Sequence, residues 1–109
     1  MLEPIEQLAI KLNIPVRVIG GLRLISLGDC GKIVEACKSG EFLILGVEAF
    51  KLEGENTVPE MDFIADFSEL ASKQWDVACV EAASAAEVYF AEVKDRPDWW
   101  FDFSLGQRR

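Results

Sequence analysis

Phe42-Leu43-Ile44-Leu45-Gly46-Val47-Glu48-Ala49-Phe50-Lys51 is a near-continuous apolar run, and Met61-Asp62-Phe63-Ile64-Ala65-Asp66-Phe67 follows it as a clean alternation. The first stretch predicts a central strand buried on both faces. The second predicts a half-buried strand, with Met61, Phe63, Ala65 and Phe67 on one side and Asp62, Ile64 and Asp66 on the other. Glu53-Gly54-Glu55-Asn56 between them is turn chemistry, so the pair reads as an antiparallel hairpin.

Toward the C-terminus, Ser68 is placed to cap a short helical turn reaching Lys73. A longer helix is expected from about Trp75 to Lys94, with Trp75, Cys79, Ala82, Ala86, Phe90 and Val93 on one stripe. Its alanines allow a close approach to whatever it covers. Asp76, Glu81, Glu87 and Glu92 point away from that stripe. Arg96-Pro97-Asp98 breaks the helix. Trp99, Phe101, Phe103 and Leu105 then alternate with Trp100, Asp102 and Ser104, a terminal strand, and residues 106–109 read as a frayed tail.

Toward the N-terminus, Ile5, Leu8, Ala9 and Leu12 have helical spacing, with Pro4 suiting the start and Asn13 the end. Val16 to Leu27 is ambiguous, and Gly20-Gly21 could be a turn between two short strands. Asp29 is a plausible N-cap for a helix running to Lys38, with Ile33, Val34 and Cys37 as its apolar stripe and Gly40 at its end. The whole reads as one domain of α+β class, an antiparallel β-sheet covered on one face by α-helices.

The composition agrees with that class. The chain has 109 residues, half of them apolar, and seven Phe, three Trp and one Tyr supply bulky core material. Its net charge is −8, and the charge is uneven: residues 1–40 carry four acids and five bases, whereas residues 41–109 carry fifteen acids and six bases. Such a surface repels phosphate, which disfavours nucleic acid, and it attracts a basic partner. The acidity would also serve solubility alone. No apolar run is long enough to span a bilayer, and the N-terminus has no basic region ahead of an apolar segment. Three cysteines, Cys30, Cys37 and Cys79, form no CxxC spacing and read as free thiols of a reducing compartment, the cytoplasm.

Catalytic chemistry is poorly supplied. There is no histidine, so neither a Cys-His nucleophile nor the usual zinc site is available. Gly20-Gly21 and Gly28-Asp29-Cys30-Gly31 lack the Lys-Ser/Thr pair of a phosphate loop. Cys30 is placed near a helix N-terminus, where a thiol pKa falls. Ser68, Ser72 and Ser84 have no GxSxG context. No cofactor is expected.

The strand pattern sorts residues onto two sheet faces. Leu43, Leu45, Val47, Met61, Phe63, Phe67, Trp99, Phe101 and Phe103 gather on the face the long helix covers. Glu48, Phe50, Asp62, Ile64, Asp66, Trp100, Asp102 and Ser104 gather on the other. Three readings of that second face stand open. It is a solvated outer face, a protein-binding surface of aromatic anchors ringed by acids, or a carboxylate site for a metal or for acid/base work through Glu48, Asp62 and Asp66.

Leu45-Gly46-Val47-Glu48-Ala49-Phe50, Pro59-Glu60-Met61-Asp62, Ile64-Ala65-Asp66-Phe67-Ser68 and the closing Trp99-Trp100-Phe101-Asp102-Phe103 together resemble small bacterial α+β immunity proteins of polymorphic or contact-dependent toxin systems. The resemblance covers residues 41–105. It implies a cytosolic protein that binds and blocks one toxin, often a basic nuclease, through an acidic surface. On the residues themselves, the expectation is a non-enzymatic binding protein that meets a basic protein partner through Glu48, Asp62, Asp66, Trp100 and Asp102. The alternatives are a self-associating structural or regulatory subunit, such as a homodimer built on a sheet edge or on exposed aromatics, and a carboxylate-metal binding protein.

Overall fold

A computed structural model describes residues 2–108. Along the chain run α1 (Pro4–Leu12), β1 (Arg17–Ile19), β2 (Leu22–Ser26), α2 (Leu27–Cys37), β3 (Phe42–Glu53), β4 (Asn56–Asp66), a short 3-10 helix (Ser68–Ser72), α3 (Trp75–Glu92) and β5 (Trp100–Gln107). The strands form one antiparallel sheet in the order β1-β2-β5-β3-β4, with helices packed against it. The fold is α+β, as the patterning predicts.

Local chemistry explains most boundaries. Pro4 opens α1, Glu3 and Glu6 form a reciprocal capping box, and Asn13 closes the helix in the left-handed region at φ 56°. Gly20 and Gly21 have φ of 55° and 83°, the paired positive angles of a two-residue hairpin turn. They resolve the ambiguous stretch into the β1–β2 hairpin. α2 starts two residues earlier than its expected Asp29 cap. Ser26 holds the N-cap position, and its hydroxyl donates to Asp29 Oδ2 at 3.1 Å. Asp29 therefore lies in the first turn, where the helix dipole favours an acid.

β3 is buried on both faces at its beginning, through Phe42, Leu43 and Ile44, and again at Ala49 and Phe50. Between these stretches it alternates, with Val47 buried and Glu48 exposed. β4 starts at Asn56, earlier than its alternation suggests. Its register with β3 breaks between Glu48, which faces Ile64, and Phe50, which faces Pro59. Four residues of β4 thus lie against one of β3, and the inward–outward alternation is lost there. Met61, expected in the core, is 71% exposed for this reason. Phe63 remains half-buried, its ring edge-on to Trp99 at 5.2 Å.

Ser68 does not cap the 3-10 helix. Instead its backbone N–H donates to Asp66 Oδ1 at 2.8 Å, so Asp66 makes the turn. At the C-terminus, Gly106 and Gln107 do not belong to a frayed tail; they extend β5, opposite Leu43 and Phe42. Gln107 Nε2 donates to Gln7 Oε1 at 3.1 Å, and Arg108 Nη1 lies 3.3 Å from Asp76. Arg109, the last residue of that expected tail, lies outside the described residues.

The core collects Ile5, Leu8 and Ala9 of α1, Ile33, Val34 and Cys37 of α2, and Ala78, Cys79, Ala82, Ala83 and Ala86 of α3. These meet Ile25, Val47, Ala49, Phe101 and Phe103 of the sheet. The small side chains of α3 bring its backbone close to β3, the strand it contacts most. Truncating the fully buried Phe101 to alanine would cost about 3–5 kcal/mol. Tyr89 ties α3 to the far side of the sheet: its hydroxyl donates to the Phe63 carbonyl at 2.7 Å.

Candidate functional site: the sheet face turned from the core

The pairing registers fix what shares this face. Arg17, Leu24, Asp102, Glu48 and Ile64 form one row across all five strands, each the direct partner of the next. The adjoining row runs Ser26, Trp100, Phe50, Pro59, and on the other side Ser104 faces Gly46, which faces Asp66. Directly opposed side chains on antiparallel strands have Cβ atoms about 4.5–5.5 Å apart. Glu48 and Asp102 are therefore forced neighbours.

Their environment is not that of ordinary surface acids. Leu24 is fully buried and Phe50 is 5% exposed, although neither belongs to the main core. They are part of a small apolar patch on this face, with the half-buried Trp100 between their strands. The Arg17 guanidinium lies over the Trp100 ring, 5.5 Å from its centroid, a cation–π contact. Asp102 is half-buried beside this patch. Loss of solvent, reinforced by the charges of Glu48 and Glu3, pushes its carboxyl up to about 6, against the opposing pull of Arg23. Arg23 itself is engaged, with Nε 3.1 Å from Glu6 and 3.2 Å from Glu3.

The surface relief is shallow. One hollow of about 260 Å³ is bounded by Glu3, Gly21, Asp102 and Ser104. Another of about 290 Å³ is bounded by Glu48, Ile64, Asp66 and Ser104. Both fall just under the size range of ligand pockets, about 300–1,000 Å³. Their lining mixes carboxylates and hydroxyls with apolar side chains, Ile5 and Leu105 in the first and Leu45 and Ile64 in the second.

Four of the five expected site residues, Glu48, Asp66, Trp100 and Asp102, share this face. Asp66 contributes less than expected, because its carboxylate is committed to the turn; the hydrogen bonds from Ser68 hold it below the usual carboxylate range. Asp62 is exposed but lies in the part of β4 that has no partner on β3, so the structure does not bring it opposite Glu48. Glu48, Asp62 and Asp66 do not converge. Among the described residues, no three His, Cys, Asp or Glu side chains come close enough to hold a metal ion. Arg17 and Leu24 were missed by pattern alone. Both follow once Gly20-Gly21 is taken as a tight turn, which pairs Arg17 with Leu24, but their place beside Trp100 and Asp102 depends on β2 lying against β5.

The thiols offer no second site. Cys30, Cys37 and Cys79 are free and buried. The helix N-terminus does not activate Cys30; burial and Asp29 push its thiol far up, and burial, with smaller contributions from Cys79 and Glu41, takes Cys37 to about 12. Among the described residues, no helix is long and apolar enough to cross a membrane.

What fold and site together define is an α+β protein with helices against one sheet face and a cross-strand pair of carboxylates, set in an apolar patch, on the other. Compared with family models, curated proteins and solved structures, the chain matches none.

Proposed function

We propose that this is a non-enzymatic binding protein whose outward sheet face receives a cationic side chain of a basic protein partner. The observation that carries the reading is the placement of Asp102, half out of water and directly opposite Glu48. Two like charges side by side are unfavourable in the free protein. An arginine or lysine between them removes that penalty and gains charge-assisted hydrogen bonds. Trp100, Phe50 and Leu24 supply the apolar ground beside it, the combination of aromatic anchor and flanking charge from which binding hot spots are built. Asp66 and the other acids of residues 41–109 add the long-range field that speeds encounter with a positive surface.

A toxin-neutralising role fits this reading, as the resemblance of residues 41–105 to immunity proteins implies, and the three free thiols support a cytoplasmic setting. The test is affinity capture at low salt from a lysate of cells that carry the gene, with the wild type and with Glu48→Gln/Asp102→Asn side by side. A basic protein retained in stoichiometric amount by the wild type, released by a salt step and lost with the double variant supports the proposal. Equal retention by both forms contradicts it.

A further inference from the structure

The inner side of α3 is accounted for by the core; its outer side is not. Val77, Val80 and Val88 are 47%, 50% and 64% exposed, and Ser84 and Ala91 are exposed between and beyond them. At 100° per residue these five positions form one stripe about 80° wide, opposite the buried arc of Ala82 and Ala86. A surface helix ordinarily turns a polar face to water. Here the acids stand only at the borders, Asp76 and Glu87 on one side and Glu81 and Glu92 on the other, and three of them are already held by bases of the same chain: Glu87 by Lys38 at 3.3 Å, Glu81 by Lys73 at 2.7 Å and Asp76 by Arg108 at 3.3 Å.

The stripe is symmetric about its middle. Val80 and Val88 lie four residues either side of Ser84, and Val77 and Ala91 lie seven either side. Its spacing of 3, 4, 4 and 3 residues averages 3.5 per turn, the period of helices that pack along a common seam at about +20°.

We propose that the outer face of α3 is a self-association surface on which a second copy of this chain seats its own α3, antiparallel and two-fold symmetric about Ser84. In that arrangement Val80 meets Val88 of the other copy, Val77 meets Ala91, and the small Ser84 side chains let the helices approach at the axis. Charge opposes the seam mildly: on the other border, Glu81 of one copy comes about 7.5 Å along the helix from Glu92 of the other, and the symmetry repeats the pair. A two-fold contact of this kind needs one patch that matches itself, which the palindromic stripe provides.

Area sets the strength. An 18-residue helix is about 27 Å long, and two such faces bury on the order of 1,000 Å², the lower limit for a specific interface. The dimer is therefore weak, half-formed at roughly 10–100 µM. With −8 on each copy, added salt tightens it. That is the opposite of the salt response of a basic partner on the sheet face, so the two surfaces are separable. Because the helices cover one face of the sheet and Glu48 and Asp102 lie on the other, the dimer leaves both carboxylate faces free.

The test is sedimentation across concentration at low and high salt, with cysteine cross-linking of single and mixed variants. Expected are a monomer–dimer equilibrium that tightens with salt, weakening of about tenfold or more in Val88→Glu with an unchanged melting curve, and rapid oxidation of Ser84→Cys to a covalent dimer. Val80→Cys should cross-link to Val88→Cys when the two are mixed, while Val88→Cys alone should not, because its own counterpart lies about 12 Å away along the helix. A monomer at every concentration overturns the proposal. So does a dimer indifferent to Val88→Glu, which places self-association elsewhere, or self-linking of Val88→Cys, which means parallel helices.

Discussion

Glu48 of β3 and Asp102 of β5 face each other directly across the two central strand neighbours of the sheet, a like-charged pair where antiparallel sheets favour opposite charges. Leu24 on one flank of the pair is fully buried and Ile64 on the other is exposed, so Asp102, on the Leu24 side, carries the cost of lost hydration. The fold tolerates an unfavourable arrangement here that a single amide would remove.

Asp102→Asn should therefore stabilise the free protein. The folded state keeps the Asp102 proton up to about 6 against an ordinary 3.8. Its favourable contribution is thus fully present below the ordinary value and is lost as pH rises through about 6. At neutral pH the variant should gain about 1 kcal/mol, after allowing for the solvent that still reaches the carboxylate. Its melting temperature should rise by about 4–8 °C. Melting curves from pH 4 to pH 7 check this: the wild type should lose stability across that window relative to the variant.

Gly46→Ala should destabilise. A Cβ at Gly46 would lie 2.9 Å from the backbone carbonyl of Ala65 on β4, which cannot swing aside as a side chain can. Relief requires the β3–β4 pairing to shift next to Asp66. A loss of about 1–3 kcal/mol is expected in urea unfolding.

Tyr89→Phe should loosen the irregular part of β4. The Phe63 carbonyl loses the hydroxyl that reaches it from α3, beside the residues of β4 that have no partner on β3. The expected cost is about 1–2 kcal/mol. Hydrogen exchange should show faster exchange at residues 60–65 with little change in α2.

The three thiols should be inert in the native protein. All are buried, and burial pushes each pKa up, so thiolate is scarce at neutral pH. Ellman's reagent should react at the rate of structural opening, with all three reacting promptly in denaturant.

Much of this architecture was legible because its signals are local. Pro4 and Asn13 bounded α1, Gly20-Gly21 offered a hairpin turn within a stretch that pattern left ambiguous, and the Trp99–Leu105 alternation placed Trp100 and Asp102 together on the outward face. Glu48 joined them because the apolar run from Phe42 carries a single acid. What pattern could not supply was non-local. The β4 register break displaced Met61 and removed Asp62 from the row, because period-two counting fails wherever strands slip. The packing of β2 against β5, which brings Arg17 and Leu24 to the site, depends on strand order. The Val77–Val80–Val88 stripe is masked in the pattern because Asp76, Glu81, Glu87 and Glu92 flank it and give the outer side of α3 a polar cast.

The proposed function places cation binding at the Glu48–Asp102 pair, among the many acids of this chain. The direct measurement is an NMR titration of the isotopically labelled protein with a short arginine-rich peptide at low salt, repeated with Glu48→Gln/Asp102→Asn. Amide shifts concentrated on residues 17, 24, 48, 64 and 100–104, and abolished in the double variant, are the predicted result. Shifts spread over the other acidic stretches, such as residues 53–60 and 92–98, or unchanged in the variant, would contradict the account.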